Sequence, residues 1–319
     1  MELQFQTKEL DCLRRLMGDS QTREETQELK LSDGMPDIGK VLASWGQVLI
    51  RSKEWRSGGM SVSGGVMAWV LYMPEEGEQP QSIAAWLPFQ MKWDFPDAQR
   101  DGTITVVPLL RGIDARSVSA RKIMVRSGVS LMAEATTPGE AELFKPDEIP
   151  EDLHVLKNTY PIRLPAESGE KAFVIEETLS LPDTLPALNK IIYYELRPEL
   201  VEDKIVSDKL VFRGNAKLHL LYADNEGKLN SWDAEIPFSQ FAELNKEYGP
   251  DATAQICFAL TNLELETGEE DNLNLKAGMI AQYVIFDAKN VELIEDAYSN
   301  LRDVTPQFSQ MTVPAQLDS

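Results

Sequence analysis

The amino-acid sequence predicts an all-β fold of two tandem antiparallel domains, each sandwich-like or a partly open barrel, with minor helical additions. Three observations carry that prediction. The chain echoes itself at a spacing of about 150 residues. Its apolar residues alternate with a period of two through both copies. Long helical patterns are nearly absent.

The echo is ordered along the chain. Leu31, Asp33, Pro36 and Lys40 recur as Leu181, Asp183, Pro186 and Lys190. Gly64, Leu71 and Tyr72 recur as Gly214, Leu221 and Tyr222, and Asp101, Thr103 and Gly128 as Asp251, Thr253 and Gly278. Between these blocks the spacing slips once and recovers, so that Ser82, Pro88 and Phe89 fall on Ser231, Pro237 and Phe238. Ordered matches with one compensated slip are the mark of a tandem duplication.

Each copy then reads as a series of strands. Val129, Leu131, Ala133 and Ala135 alternate in the first, and Met279, Ala281, Tyr283 and Ile285 alternate in register in the second. Period two belongs to strands with one buried face. Residues 60–72 and 210–222 read as long strands crossed by glycine. PEEGEQ and ADNEGK follow as acidic turns, and 82–89 and 231–236 return as partner strands. Residues 40–48, 48–55, 104–113 and 122–135 complete the first copy, and 190–195, 199–207, 254–265 and 272–285 the second. Helical expectations fall on residues 7–17, whose Leu10, Leu13, Leu16 and Met17 share a helical face, and on short turns at 90–98 and 238–248.

The domain boundaries follow from composition. Residues 1–22 form an N-terminal amphipathic segment, 23–165 the first β domain, 166–300 the second and 301–319 a C-terminal tail. Residues 136–171, rich in Pro, Glu and Gly, read as a linker with a hinge near 160–175.

The chain carries 52 acidic and 31 basic residues, a formal net charge of -21. That charge opposes nonspecific attraction to nucleic acid and to anionic membranes. No apolar run approaches the length of a bilayer span, and the charged start predicts no signal peptide. Cys12 and Cys257 are too few and too far apart for a disulfide framework, which fits a reducing compartment.

Catalytic and metal chemistry find little support. His154 and His219 are the only histidines and lie in no ligand spacing. Glu264, Glu266, Glu269, Glu270 and Asp271 cluster, but they read as a strand's outer face and a charged hairpin tip, not a calcium loop. Glycines at 63–66 and 213–215 lie inside strands, so no phosphate-cradling loop is present. No cofactor, metal or catalytic residue is expected. A carboxylate-pair hydrolase is the enzymatic alternative, because its diagnostic is spatial.

The tryptophans are unevenly shared. The first copy holds Trp45, Trp55, Trp69, Trp86 and Trp93, the second only Trp232. Rigid aromatic anchors suit contact surfaces, and Trp55 and Trp93 are the expected contact residues. The alternative is that the larger residues fill the core of one copy. A carbohydrate- or polymer-binding β module is the alternative function.

The doubled pattern resembles the SPOCS domain, also catalogued as a domain of unknown function (DUF3794), found in SipL-like spore morphogenesis proteins of clostridia. LSDGMPDIGKVL (31–42) and LPDTLPALNKII (181–192) are similar to its opening segment. VMAWVLY (66–72) and AKLHLLY (216–222) resemble the strand before its turn, and LPF (87–89) and IPF (236–238) its closing element. The resemblance spans roughly residues 25–300. It implies a non-enzymatic, two-domain scaffold in endospore coat and cortex assembly, in the mother-cell cytoplasm at the forespore surface. Its implied partners are other spore-assembly proteins, including a coat-basement ATPase, with self-association compatible. The LysM module common in such proteins is not matched by the residues after Tyr298. The family supplies no catalytic residues. Asp33, Pro36, Lys40, Gly64, Tyr72, Pro88, Phe89 and their counterparts Asp183, Pro186, Lys190, Gly214, Tyr222, Pro237 and Phe238 are expected to be structural markers.

Overall fold

A computed structural model describes residues 5–77, 79–95, 102–146, 149–268, 272–301 and 303–304. Twelve strands follow one another: β1 (Phe5–Lys30), β2 (Ile38–Arg56), β3 (Gly59–Pro74), β4 (Gln81–Asp94), β5 (Thr103–Ser119), β6 (Lys122–Pro146), β7 (Leu153–Ser180), β8 (Leu188–Val206), β9 (Lys209–Asp224), β10 (Leu229–Glu243), β11 (Thr253–Thr267) and β12 (Asn272–Ser299). They form four three-stranded antiparallel sheets, ordered β1-β6-β5, β2-β3-β4, β7-β12-β11 and β10-β9-β8. The first pair of sheets makes one sandwich and the second pair another. Neither closes into a barrel.

Alternation sets the buried face of each sheet, as period-two strands require. Val125, Val129, Leu131, Ala133 and Ala135 of β6 face Val62, Val66, Ala68, Val70 and Tyr72 of β3 across the first core. Leu275, Ala277, Met279, Ala281 and Ile285 of β12 face Phe212, Ala216, Leu218, Leu220 and Tyr222 of β9 across the second. The duplication extends to the irregularities. Bulges between Ile38 and Lys40, Val41 and Ala43, and Ile50 and Ser52 in β2 recur between Leu188 and Lys190, Ile191 and Tyr193, and Leu200 and Glu202 in β8. The bulge between Leu110 and Gly112 recurs between Leu260 and Asn262. Bulges are conserved features of a fold, so this register supports descent of both units from one.

Several expectations are corrected. Residues 7–17 lie within β1, paired with β6, and form no helix. Their leucines satisfy a helical period as well as a strand bent by the irregularity between Arg15 and Met17. Residues 238–243 complete β10 and 90–94 complete β4, so the expected helical turns there are strand ends; 96–98 lie outside the described residues. Most of the 136–171 stretch is strand. β6 continues to Pro146 and β7 runs unbroken from Leu153 to Ser180, across both the expected hinge and the 165/166 boundary. β7 pairs with β12 and β1 with β6, so each completes its own unit. The prolines that suggested a break, Pro161 and Pro165, sit in β7, an edge strand, the kind of strand in which proline is tolerated. Pro198 likewise lies in edge strand β8, which joins the separately expected strands 190–195 and 199–207.

Candidate interaction surfaces

The two units pack against each other through an aromatic seam. The outer face of the β2-β3-β4 sheet carries Trp45, Gln47 and Leu49 opposite Trp69, Met67 and Gly65. The Trp45 ring stacks on Tyr193 of β8 at 5.0 Å, and Trp69 meets Tyr193 and Tyr194 edge-on at 5.2 and 4.9 Å. Leu49 is fully buried in the core of the second unit, and Ala259 of β11 packs into that of the first. Burial pushes the Tyr193 and Tyr194 hydroxyls above the ordinary tyrosine range, with the Glu195 carboxylate adding to the effect at Tyr193.

Several polar side chains cross the seam in pairs, as burial favours. The Lys53 ammonium, on a side chain only 7% exposed, donates to Ile104 O (2.7 Å) and Gln282 Oε1 (2.8 Å) and pairs with Glu170. The Gln282 amide also accepts from Val106 N and donates to Val106 O, both at 2.8 Å, covering the edge of β5 as a neighbouring strand would. Ser82 donates to Ile192 O (2.7 Å), Lys190 to Gln81 Oε1 (2.7 Å) and Leu196 N to Gln47 Oε1 (3.3 Å). Burial lowers the Lys190 ammonium below the usual lysine range.

The repeat markers have structural explanations. Tyr72 Oη donates to Pro36 O at 3.1 Å, and Tyr222 Oη donates to Pro186 O at 2.9 Å. The Tyr and the Pro therefore tie the entry turn to the end of the central strand in both units. Asp33 and Asp183 are exposed on those turns. Lys40 is exposed, whereas its counterpart Lys190 reaches across the seam. Gly64 lies under the Phe89 ring and beside the Leu49 carbonyl, and Gly214 lies under Phe238 and beside the Glu199 carbonyl. A Cβ at either would sit 2.2 or 2.3 Å from that oxygen, so both positions require glycine. Pro88 and Pro237 precede these rings on edge strands.

The expected contact residues are placed differently. Trp93 is 4% exposed and packs inside the first core, so it offers no surface to a partner. Trp55 is half-buried, edge-on to Phe95 at 5.6 Å and against Gly102. Trp86 lies against the second core with the Arg51 guanidinium 5.0 Å over its ring. The aromatic surplus of the first unit is thus spent on its own core and on the seam. Sequence reasoning missed Tyr193, Tyr194 and Leu49. The signal was present in the two adjacent tyrosines of a strand whose first-unit counterparts are Ala43 and Ser44.

The matching face of the second unit, the outside of β10-β9-β8, is charged. Where the first unit has Trp45, Gln47, Leu49, Met67 and Trp69, the second has Glu195, Arg197, Glu199, Lys217 and His219. Arg197 pairs with Glu195 and Lys217 with Glu199, both at 2.7 Å, and His219 Nδ1 is 2.6 Å from Asp233 Oδ1. His154 stacks on Tyr298 at 4.9 Å. Glu264 and Glu266 lie with Glu176, Glu177 and Lys276 along an open strand surface, with Lys276 Nζ 2.8 Å from Glu176; residues 269–271 lie outside the described residues. Among the described residues, no three His, Cys, Asp or Glu side chains gather as metal ligands. No described helix is long and apolar enough to cross a membrane. Burial pushes both cysteine thiols up, and Gln282 Nε2 is 3.6 Å from Cys257 Sγ.

Neither the curated proteins nor the solved structures give a match to this chain. The family model described as SipL, SPOCS domain matches residues 188–267, the span from the start of β8 to the end of β11. The second unit therefore carries a SipL-like SPOCS domain over that span.

Proposed function

We propose that the chain is a non-enzymatic scaffold of endospore envelope assembly, acting in the mother cell at the forespore surface, with both units serving as SPOCS-type domains. The family match over residues 188–267 carries the reading. Strands β2 to β5 of the first unit, with the same order and the same bulges as β8 to β11, support extending it to both units. Partners on this reading are other spore-assembly proteins, a coat-basement ATPase among them. A pair of β units joined by a buried seam suits a role in gathering partners. Two groups of carboxylates, Glu176, Glu177, Glu264 and Glu266 and Glu9, Asp11, Glu140 and Glu142, lie along open strand surfaces, which supports a scaffold over an acid-pair hydrolase. The aromatic rings that motivated a sugar-binding module are engaged in the core and the seam.

The test is a fluorescent fusion in a sporulating host together with a deletion strain. A ring of signal around the forespore and misassembled coat or cortex in the deletion are the expected results. Diffuse signal with normal spores, or saturable glycan binding by the purified chain without capture of a coat protein, would overturn the proposal.

A further inference from the structure

The seam uses different parts of the two units: the outside of β2-β3-β4 and the edge of β5 from the first, and Tyr193 and Tyr194 at the start of β8 with Ala259 and Gln282 on the outside of β7-β12-β11 from the second. Such a heterologous contact leaves one unmatched face at each end. At the second unit's end the unmatched face is the ion-paired surface of β8 and β9 described above. At the first unit's end it is the outside of β1-β6-β5.

That face is apolar at its centre. Val107 lies directly opposite Met132, and Leu109 opposite Ser130. The three large side chains are 37, 56 and 50% exposed for Val107, Met132 and Leu109. Their counterparts in the second unit are Cys257, Gln282 and Ala259, and Gln282 and Ala259 are 1 and 3% exposed because the first unit covers them. The same sheet face is therefore an interface in one unit and bare in the other. Where it is bare its residues have become larger and more apolar, the reverse of what solvent exposure favours.

We propose that this face joins two copies of the chain in an isologous dimer. Two arguments select a second copy in this arrangement. Head-to-tail growth would require the second unit's β8 and β9 face to do what Trp45, Leu49 and Trp69 do in the seam. Glu195, Glu199 and His219 stand there instead, and burying them would strand charge. The flanking charges also permit self-pairing in a chain of net charge -21. Around the apolar centre the sheet carries Arg111, Arg116, Lys122 and Arg126 with Glu24, Glu28 and Asp114, both signs interspersed. A surface with both signs is self-complementary about a two-fold axis, whereas most of this acidic chain would repel its copy.

Sedimentation equilibrium of the full chain tests the inference. The expected result is a monomer–dimer equilibrium. Leu109→Glu and Met132→Glu, each introduced at an exposed position, should raise the dimer Kd by about tenfold or more, as for a charge placed in an interface core. Both should keep the circular dichroism and melting temperature of the parent. Glu199→Lys on the second unit's outer face should leave the dimer unchanged. A chain monomeric at every concentration, a dimer indifferent to Leu109→Glu, or an open series of oligomers sensitive to Glu199→Lys would each overturn the proposal.

Discussion

The two units share a skeleton and differ on their surfaces. Each has six strands in two sheets and a tyrosine hydroxyl tied to a proline carbonyl, Tyr72 to Pro36 and Tyr222 to Pro186. Each packs a phenylalanine ring over a glycine, Phe89 over Gly64 and Phe238 over Gly214. Yet the outside of the central strand reads Met67, Trp69 and Leu71 in the first unit and Lys217, His219 and Leu221 in the second. The difference follows whether a neighbour covers the face. Residues that shape the backbone were kept because every copy needs them, and face residues were reassigned by position in the array.

The largest expected effect comes from treating these matched positions alike. Trp69→Ala removes a buried ring from the seam and should cost about 3–5 kcal/mol by denaturant unfolding. His219→Ala, at the equivalent place on an exposed face, should change stability by no more than about 0.5 kcal/mol. Trp69→Ala should also separate the unfolding of the two units into resolvable steps, since the seam couples them. Equal costs at 69 and 219 would mean that the faces are not differentiated as described.

A second pair should behave alike where the first pair differs. Gly64→Ala and Gly214→Ala each drive a Cβ into a backbone carbonyl, of Leu49 and Glu199 respectively, and should each cost about 1–3 kcal/mol. Gly128 also recurs, as Gly278, but a Cβ there meets only Arg111 Cβ at 3.5 Å, so Gly128→Ala should be close to neutral. Separate melts of the three variants distinguish a shared backbone constraint from a general intolerance of glycine replacement.

Much of this was legible in the sequence. The period-two alternation of Val129 to Ala135 and of Met279 to Ile285 located the cores, and the Leu31 and Leu181 echoes counted the units. Two kinds of feature were hidden. The N-terminal arm was misread because Leu10, Leu13 and Leu16 fit a helical period, and only pairing with β6 settles the choice. The seam was hidden because coverage by another unit depends on docking, which alternation within a strand does not encode. Trp93 is expected from the sequence to be a contact residue, and the larger aromatics of the first copy have a core-filling alternative. The structure places Trp69 in the seam and Trp93 in the core.

The smallest effect lies on the arms that extend beyond the sheets. On the first arm Glu9, Asp11, Glu140 and Glu142 face one another along the β1–β6 ladder. The Glu9 charge raises the Glu140 carboxyl above its ordinary value, with burial, the Glu9 hydrogen bond and the charges of Asp11 and Glu142 adding to it. On the second arm Glu140 is replaced by Asn290 and Glu9 by Thr159, and Lys157 pairs with Glu292 at 3.1 Å. A carboxyl raised in the folded state favours folding when protonated. Its contribution is whole below the unfolded value of about 4.3 and is lost as pH rises through the folded one. Glu140→Asn, which gives the first arm the residue of the second, should therefore raise the melting temperature at pH 7 and leave it unchanged below the unfolded value. Added salt should narrow the difference at pH 7, because these charges are exposed and screened. A stabilisation that persisted undiminished at acid pH would trace the effect to strand propensity, and the two arms would then differ in backbone preference and not in charge.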